Sequence, residues 1–411
     1  MENVEHITKC RVCESGQLRP FFDLGEHPPS NSLINSPNDH EEIYPLSLSW
    51  CEECSLVQLN HTVDPEILFK EYVWVTGTSK TANEFAYTFC NELIKRTDKK
   101  KNGYVLEIAS NDGTFLTPFM KKGYKILGID PAENIAEVAN QNNIPTEAIF
   151  FTEENAKKIV EERGKASIIF ARNVLPHVAD TRGFMQGIVE CMVDDGIVAL
   201  ETHYAKIILE ELHYDSIYHE HLCYFTIKSI ERLLNDHGLY IFDIVKSPIS
   251  GGSNIIYARK AKEEESKTLK EFRYKELEDK TNNFDSWQLF AKKSYAHRDS
   301  LRDMIEEQKK RGRVVGWGAS ARSSTLLNFM GTTVDDISEI IDLNPLKQGK
   351  YTAGTHIPIK KMEEVLQKKP ASVIILAWNF KDEIREIMRE KNIYKGTAIV
   401  PLPHDPKIIQ I

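Results

Sequence analysis

No stretch of this sequence approaches the ~18–20 uninterrupted apolar residues that a membrane-spanning helix needs. The opening residues, MENVEHITKC, carry neither a basic n-region nor an apolar h-region. Neither a membrane span nor a secretory leader is therefore expected. Basic residues are in deficit: 52 Lys and Arg stand against 61 Asp and Glu, a net charge of −9. A protein that grips nucleic acid through a basic face has the opposite balance, so no nucleic-acid partner is expected. Cysteine is sparse and odd in number, seven in 411 residues, a poor basis for a disulfide framework. The expected setting is a reducing cytoplasm, where paired cysteines point to metal or redox chemistry. Internal repeats and low-complexity tracts are also missing. What remains is ordinary globular composition, 41% hydrophobic and 27% charged, at a length that suits two or three domains.

Four textures divide the chain. Residues 1–75 are rich in Cys, Pro, Asn and Ser. Residues 76–260 alternate short β-branched runs with helical patterns. Residues 261–310 are dominated by Lys and Glu, and residues 311–411 alternate again. The second texture predicts a doubly wound α/β domain with strands over Tyr104–Ile108, Lys125–Ile129, Ala166–Ala171 and Gly196–Thr202, spaced widely enough for crossovers between parallel strands. The Lys/Glu stretch places Leu269, Phe272, Leu277, Phe284, Leu289 and Phe290 among its charges, which predicts a helical connector with one stripe packed on the body.

Cys10-Arg11-Val12-Cys13 and Cys51-Glu52-Glu53-Cys54 are two C-x-x-C pairs. A two-residue gap lets two thiolates meet one ion from a single turn, and a second such turn closes a tetrahedron, the usual ligand set of structural zinc. The insert between the pairs is longer than in a minimal ribbon. A redox reading needs a thioredoxin-like βαβ context, which these residues lack. In a third reading the four thiols are merely buried. Cys90, Cys191 and Cys223 have no pairing pattern and read as buried apolar residues.

Val105-Leu106-Glu107-Ile108-Ala109-Ser110-Asn111-Asp112-Gly113 runs from a strand pattern into a helix pattern, and the next strand ends at Asp130. An acidic residue there suits ribose hydroxyls. The absence of G-x-G-x-x-G argues against a pyrophosphate cofactor. S-adenosylmethionine has adenosine, no phosphate, and cationic groups that Glu107 and Asp112 would favour. The segment from Ala171 through Asn173 to His177 follows the third strand and resembles the loop that closes over the cofactor in class I methyltransferases. His177 itself reads as a loop or core histidine.

The densest titratable cluster runs from Asp215 and Ser216 through Tyr218-His219-Glu220-His221 to Tyr224 and Phe225. On an extended segment, His219 and His221 would share one face, and Tyr218 and Glu220 the other. Histidine suits general-base work near neutral pH, a carboxylate can orient it, and a tyrosine hydroxyl can hold a developing oxyanion. The His-Glu-His run lacks the H-E-x-x-H spacing of a helical metal site. Buried polar residues bridging two elements are the alternative.

In order along the chain, these motifs resemble the sugar C-methyltransferases that act on nucleotide-linked 4-keto-6-deoxy sugars. The resemblance includes the paired cysteines, the Asp23–Asn31 stretch, Tyr72–Ser79, Glu107–Gly113, Tyr218–His221, Val315–Ala321, Ile341–Pro345 and Gly349–Gly354. It implies an α/β chain: a small zinc-binding domain, a central class I methyltransferase domain, and a C-terminal Rossmann-like domain. The implied cofactors are S-adenosylmethionine and structural zinc held by Cys10, Cys13, Cys51 and Cys54. His221 would be the base, with Glu220 and Tyr218 beside it and Tyr72 near the sugar. Glu107, Ala109, Asn111, Asp112, Gly113, Asp130 and Asn173 would line the cofactor site. The chain departs from the family pattern at Trp74, Ala109 and Ala353.

Near the C-terminus, Gly316-x-Gly318-x-x-Ala321 lies between a strand pattern and a helix pattern, and Asp342 ends the next strand. Alone, this is a dinucleotide fingerprint with Ala in third place, which allows an NAD-dependent oxidoreductase or epimerase. The family resemblance gives the same turn to a nucleotide-diphosphate sugar, held through Gly316, Gly318, Ala319, Ala321 and Asp342. An architectural turn is the third reading. An O- or N-methyltransferase acting on another acceptor is the nearest alternative activity.

Overall fold

Between and around the two cysteine pairs, apolar residues recur at every second position, and the chain folds as an antiparallel meander. The computed structural model describes residues 3–69, 75–97, 103–249, 251–390 and 394–411. The first segment forms strands β1 (Val4–His6), β2 (Leu18–His27), β3 (Tyr44–Cys51), β4 (Val57–Leu59) and β5 (His61–Val63). Phe22, Leu24, Leu46 and Leu48 point to one buried side, as the two-residue pleat requires. Strand β3 ends on Cys51 and β4 starts just beyond Cys54, so the second cysteine pair is itself the turn that joins them.

The predicted parallel strands appear as β6 (Val105–Ile108), β7 (Ile126–Ile129), β9 (Ala166–Arg172) and β10 (Met192–His203), apolar on both faces because helices cover both. Three further strands complete the sheet: β8 (Thr146–Glu147), β12 (Tyr240–Lys246) and β13 (Ser253–Arg259). Among the described residues the order is β12-β13-β10-β9-β6-β7-β8, with β13 antiparallel to both neighbours. This is the class I methyltransferase arrangement. Strand β12 carries a mid-strand acid, Asp243, held by Arg96 at 2.8 Å.

One short strand crosses between units. Strand β11 (Cys223–Tyr224) lies in the middle segment but pairs with β4, so the sheet of the cysteine-rich segment runs β11-β4-β3-β2. The Lys/Glu stretch forms helices Lys267–Glu278 and Phe284–Lys309. Their apolar stripe differs from the expected one. Leu269, Phe284 and Phe290 are buried, but Leu277 and Leu289 are 77% and 50% exposed. The long helix lies on β2, where Phe22 meets Phe290 and Tyr295 edge-on at 5.7 and 5.3 Å.

The last segment builds β14 (Val314–Trp317), β15 (Ile340–Ile341), β16 (Ile359–Lys360), β17 (Ser372–Ile375), β18 (Thr397–Val400) and β19 (Lys407–Gln410). Their order, β16-β15-β14-β17-β18-β19, is parallel except for β19, a Rossmann-like sheet. It touches the cysteine-rich segment through the Ile34–Tyr351 bridge and through Glu41, which accepts from the Gly354 amide at 2.8 Å. Among the described residues no helix is long and apolar enough to cross a membrane.

Candidate active site and metal centre

The four cysteines converge. Their sulfurs lie within 4.8 Å of one another, with Cys10–Cys54 and Cys13–Cys51 both at 3.5 Å. A tetrahedral ion with bonds of about 2.3 Å to sulfur sets neighbouring sulfurs about 3.8 Å apart, so the set is the size of a zinc site. The two turns are built alike. Glu14 and Ser55, each following the second cysteine of its pair, are left-handed, and each amide bonds back to the carbonyl of Cys10 or Cys51 at 2.9 Å. Thiol–thiol hydrogen bonding pulls Cys51 well below the usual thiol range and pushes Cys10 and Cys54 above it. Four thiolates cannot coexist at this spacing without a cation, and with one they complete its coordination.

At the C-terminal ends of the central strands the backbone is bent into unusual conformations. Ala109, Asn111 and Gly113 after β6, and Asn173 after β9, all have positive φ. Such conformations persist where surrounding structure holds them, often at ligand sites. Gly113 is required there: a Cβ would come within 2.5 Å of Ile144 Cγ2. Glu107 is 3% exposed, and its Oε2 has no hydrogen-bond partner among the described residues. Burial raises its pKa well above the usual carboxylate range, and Arg172 opposes the shift. A buried acceptor left unpaired at a strand end fits a ligand that brings a donor or a cation. Asp130 accepts from the amides of Asn111 (2.8 Å) and Ala132 (3.0 Å), so it shapes the loop as well as facing the site. Asp112 accepts from the Gly77 amide at 2.8 Å.

The Tyr-His-Glu-His run is a turn rather than an extended segment. The His221 amide bonds to the Tyr218 carbonyl at 2.8 Å, which overturns the alternating-face expectation. The turn scatters its side chains to different partners. His219 Nε2 contacts the Tyr44 carbonyl at 3.2 Å, and Glu220 Oε1 accepts from Asn31 at 2.6 Å. Tyr218 and His221, three apart, meet instead: the hydroxyl lies 2.9 Å from His221 Nε2. His221 Nδ1 lies 2.8 Å from the Ser216 carbonyl. A carbonyl only accepts, so Nδ1 carries the hydrogen and Nε2 keeps its lone pair. His177 and His203 crowd the same ring, with centroids at 4.9 and 5.1 Å. Burial and these neighbours hold His221 well below the usual histidine range, so it is neutral at pH 7. Burial raises the Glu220 carboxyl to about 7. His177 is hydrogen-bonded toward the backbone of Glu220 and Asn173, which joins the turn to the loop after β9.

Residues 10–69 match a family of zinc binding domains, residues 82–244 a methyltransferase domain, and residues 248–403 the C-methyltransferase C-terminal domain. The chain is similar to C-methyltransferase NovU of Streptomyces niveus, 29% identical over 411 residues that cover 99% of this chain and 98% of the relative. The chain is an S-adenosylmethionine-dependent methyltransferase, similar to a C-methyltransferase along its whole length. A shorter stretch of 102 residues is 29% identical to the ubiquinone biosynthesis O-methyltransferase of Rhodopseudomonas palustris, covering 24% of this chain and 39% of that one. Among solved structures, the CcbJ methyltransferase of Streptomyces caelestis is similar at 14% identity and a TM-score of 0.35, over 44% of this chain and 90% of that chain.

In this methyltransferase the C-terminal segment contacts the residues just before the Tyr218–His221 turn. Trp378 Nε1 donates to Asp215 Oδ2 at 2.7 Å, Arg322 Nη2 lies 3.4 Å from Asp215 Oδ1, and Thr325 donates to the Ile217 carbonyl at 2.9 Å. Arg322 and Thr325 belong to helix Ala321–Met330, capped by Ser320. Gly316 and Gly318, which open the turn before it, are tightly packed: a Cβ at Gly318 would lie 2.4 Å from that of Ala377, and one at Gly316 would lie 2.7 Å from Leu376 Cδ1. Asp342 accepts from the Ala319 amide at 2.8 Å, much as Asp130 does in the central domain. Tyr72 and Trp74 lie outside the described residues.

His203 and Arg322 carry no signal of their own in the sequence. Asn31, Asp215 and Ser216 lie inside stretches already singled out, but nothing local gives them a role: Asn31 meets Glu220, Asp215 meets Trp378, and the Ser216 carbonyl meets His221 only once the segment turns.

The buried histidines make the fold acid-sensitive. Burial lowers His27, His177 and His219 to about 4, and His203 and His213 to about 3. In the unfolded chain each titrates near about 6.5. Between those values the unfolded state binds protons that the folded state refuses. Stability is therefore present above about pH 6.5 and is lost toward pH 4, at up to about 1.4 kcal/mol per pH unit for each such histidine. The raised carboxyl of Glu220 works the other way: its stabilising contribution is full below its unfolded pKa and fades as pH rises through about 7. Glu107, Asp130, Asp215, Glu231 and Glu276 are raised by burial as well, while His61, His221 and His297 join the lowered histidines, so the two sets largely offset and thermal melts are expected to show only a modest fall in Tm between pH 7 and pH 5. A flat or rising Tm would contradict this accounting.

Proposed function

We propose that the protein methylates carbon 3 of a nucleotide-diphosphate 4-keto-6-deoxy sugar, in deoxysugar biosynthesis. The observation that carries this reading is the pinned tautomer of His221, a neutral imidazole with its Nε2 lone pair turned toward Tyr218. A heteroatom acceptor needs little help to attack a methyl group, whereas a carbon acceptor must first lose a proton. A buried base beside the cofactor loop suits the second case. S-adenosylmethionine supplies the electrophilic methyl group, and S-adenosylhomocysteine departs.

Nε2 of His221 takes the C3 proton, which the neighbouring ketone makes acidic. The Tyr218 hydroxyl, which donates to that Nε2 lone pair when no substrate is bound, would turn to the developing enolate oxygen and so free the lone pair for the proton. Glu220 titrates near neutrality and can carry charge beside the turn. Tyr72 is assigned to the sugar by the family resemblance. Glu107, Ala109, Asn111, Asp112, Gly113, Asp130 and Asn173 would hold the cofactor, with the unpaired Glu107 oxygen facing its cationic end or its ribose. The turn of Gly316, Gly318, Ala319 and Ala321, with Asp342 behind it, would set helix Ala321–Met330 against the sugar's diphosphate. That helix touches the catalytic turn, so one substrate can span both.

The base step can be isolated. In heavy water without S-adenosylmethionine, a deoxythymidine-diphosphate 4-keto-6-deoxyglucose is expected to exchange its C3 hydrogen in the presence of the enzyme, read by NMR. An exchange rate equal to that of buffer alone would remove the base from this reading.

A further inference from the structure

We propose that Arg11, between the first two metal ligands, is a positioning residue that transmits the geometry of the tetrathiolate centre to His221. The inference rests on the reading of His221 as the base.

The link begins two residues beyond His221. There Cys223 and Tyr224, outside the central sheet, pair with Gln58 and Val57 of β4. Leu222, the residue between, is gripped from both sides: its carbonyl accepts from the Leu59 amide at 3.0 Å, and its amide donates to the Pro176 carbonyl at 2.7 Å. The position of His221 along the chain is thus fixed by β4 on one side and by the loop after β9 on the other.

Strand β4 is in turn held by the metal centre twice. Its leading turn is the Cys51–Cys54 pair. Its far end is held by Arg11. Nη1 donates to the Leu59 carbonyl at 2.6 Å and Nη2 to Thr62 Oγ1 at 2.8 Å, while the Arg11 amide donates to Gln58 Oε1 at 3.1 Å. Strand β11 is two residues long, and the guanidinium grips β4 just beyond the point where β11 stops. A planar fork that reaches acceptors on residues 58, 59 and 62 resists both sliding and twisting of that strand. The residue is 8% exposed, so water competes little for those acceptors.

The cysteine turn also has a firm footing. Arg182, in helix Thr181–Cys191, donates to the Val12 carbonyl at 3.0 Å and pairs with Asp236 at 3.3 Å. The first cysteine pair is therefore anchored on the methyltransferase domain through Arg182, and it passes that reference to β4 through Arg11. Four thiolates around a dication carry a net charge of −2, and Arg11 supplies an opposite charge inside the same turn.

The test uses the full-length, zinc-loaded protein and the variants Arg11→Gln, Arg11→Lys and Arg182→Gln. The readouts are zinc content, S-adenosylmethionine affinity by calorimetry, kcat and KM, and the His221 ring signal in a histidine-labelled NMR spectrum, assigned with His221→Asn. Arg11→Gln is expected to keep its zinc and its cofactor affinity, to shift the His221 signal, and to lose about tenfold to a hundredfold in kcat with little change in KM. Arg11→Lys should recover part of the loss, since it reaches Leu59 but cannot span the other acceptors. Arg182→Gln, which loosens the footing of the same turn, should lower Tm and shift the His221 signal in the same direction but by less than Arg11→Gln. An unmoved His221 signal in Arg11→Gln, with only a lower Tm, would overturn the proposal and leave Arg11 a stabilising residue. If Arg11→Gln sheds its zinc, the same comparison is read in Arg11→Lys. If even the wild-type enzyme turns over no nucleotide sugar, the reaction reading fails, but the NMR signal still decides the role of Arg11.

Discussion

Replacing His221 by Asn is expected to lower kcat by about 10²–10⁴-fold, the usual contribution of one positioned base, while S-adenosylmethionine binds as before. Asparagine keeps a polar group near the Ser216 carbonyl and Tyr218 but has no lone pair able to take a carbon-bound proton. The fold should tolerate the change. His221 is 4% exposed, yet its ring is neutral, so no buried ion pair is broken. The companion change Tyr218→Phe removes a hydroxyl 2.9 Å from Nε2 and should cost less, because the base itself remains. Steady-state kinetics with a calorimetric check of cofactor affinity measure both. Full turnover by His221→Asn would remove this histidine from the chemistry and leave the turn a structural bridge.

Removing the metal should have the second large effect, on stability first and activity second. Cys10, Cys51 and Cys54 are almost wholly buried, and the sheet they close carries Phe22, which packs edge-on against Phe290 and Phe329 of the rest of the chain. Structural zinc contributes apparent folding free energies of about 10–16 kcal/mol in isolated fingers, and here part of that is shared with an existing core. Cys51→Ser, or exhaustive chelation, is expected to lower Tm by more than about 10 °C and to abolish turnover, because β4 and the residues after His221 lose their reference together. Zinc analysis alongside calorimetry measures this. A metal-free protein with unchanged Tm would show that the four thiols are simply buried.

What could be read in the sequence was local. Two cysteine pairs two residues apart specify a metal turn by themselves, because ligand spacing and turn geometry are the same constraint. Four apolar β-branched runs separated by helical patterns specify parallel strands for the same reason. Strand β8 has only two residues and β12 carries Asp243, so neither offers a clean apolar run; partners elsewhere make them strands. The Tyr-His-Glu-His turn was read as a cluster, but its geometry was not. Alternation assumes extended backbone, and this segment is bent by a hydrogen bond between its first and last residues. The residues that hold it come from far away: Asn31 is 189 positions from Glu220, and Trp378 is 163 positions from Asp215. No local pattern carries such pairings. The glycines at 316 and 318 look like a dinucleotide motif in sequence, yet close packing against Leu376 and Ala377, and a φ of +101° at Gly318, already call for glycine there.

The central claim is that a carbon atom receives the methyl group. The most direct measurement uses S-adenosylmethionine labelled with carbon-13 in its methyl group and a deoxythymidine-diphosphate 4-keto-6-deoxy sugar, followed by NMR of the product. The account predicts a new methyl signal coupled to sugar carbon 3, in a product heavier by one methyl group. A methyl signal at the shift of an O-methyl or N-methyl group, with no carbon–carbon coupling, would contradict it.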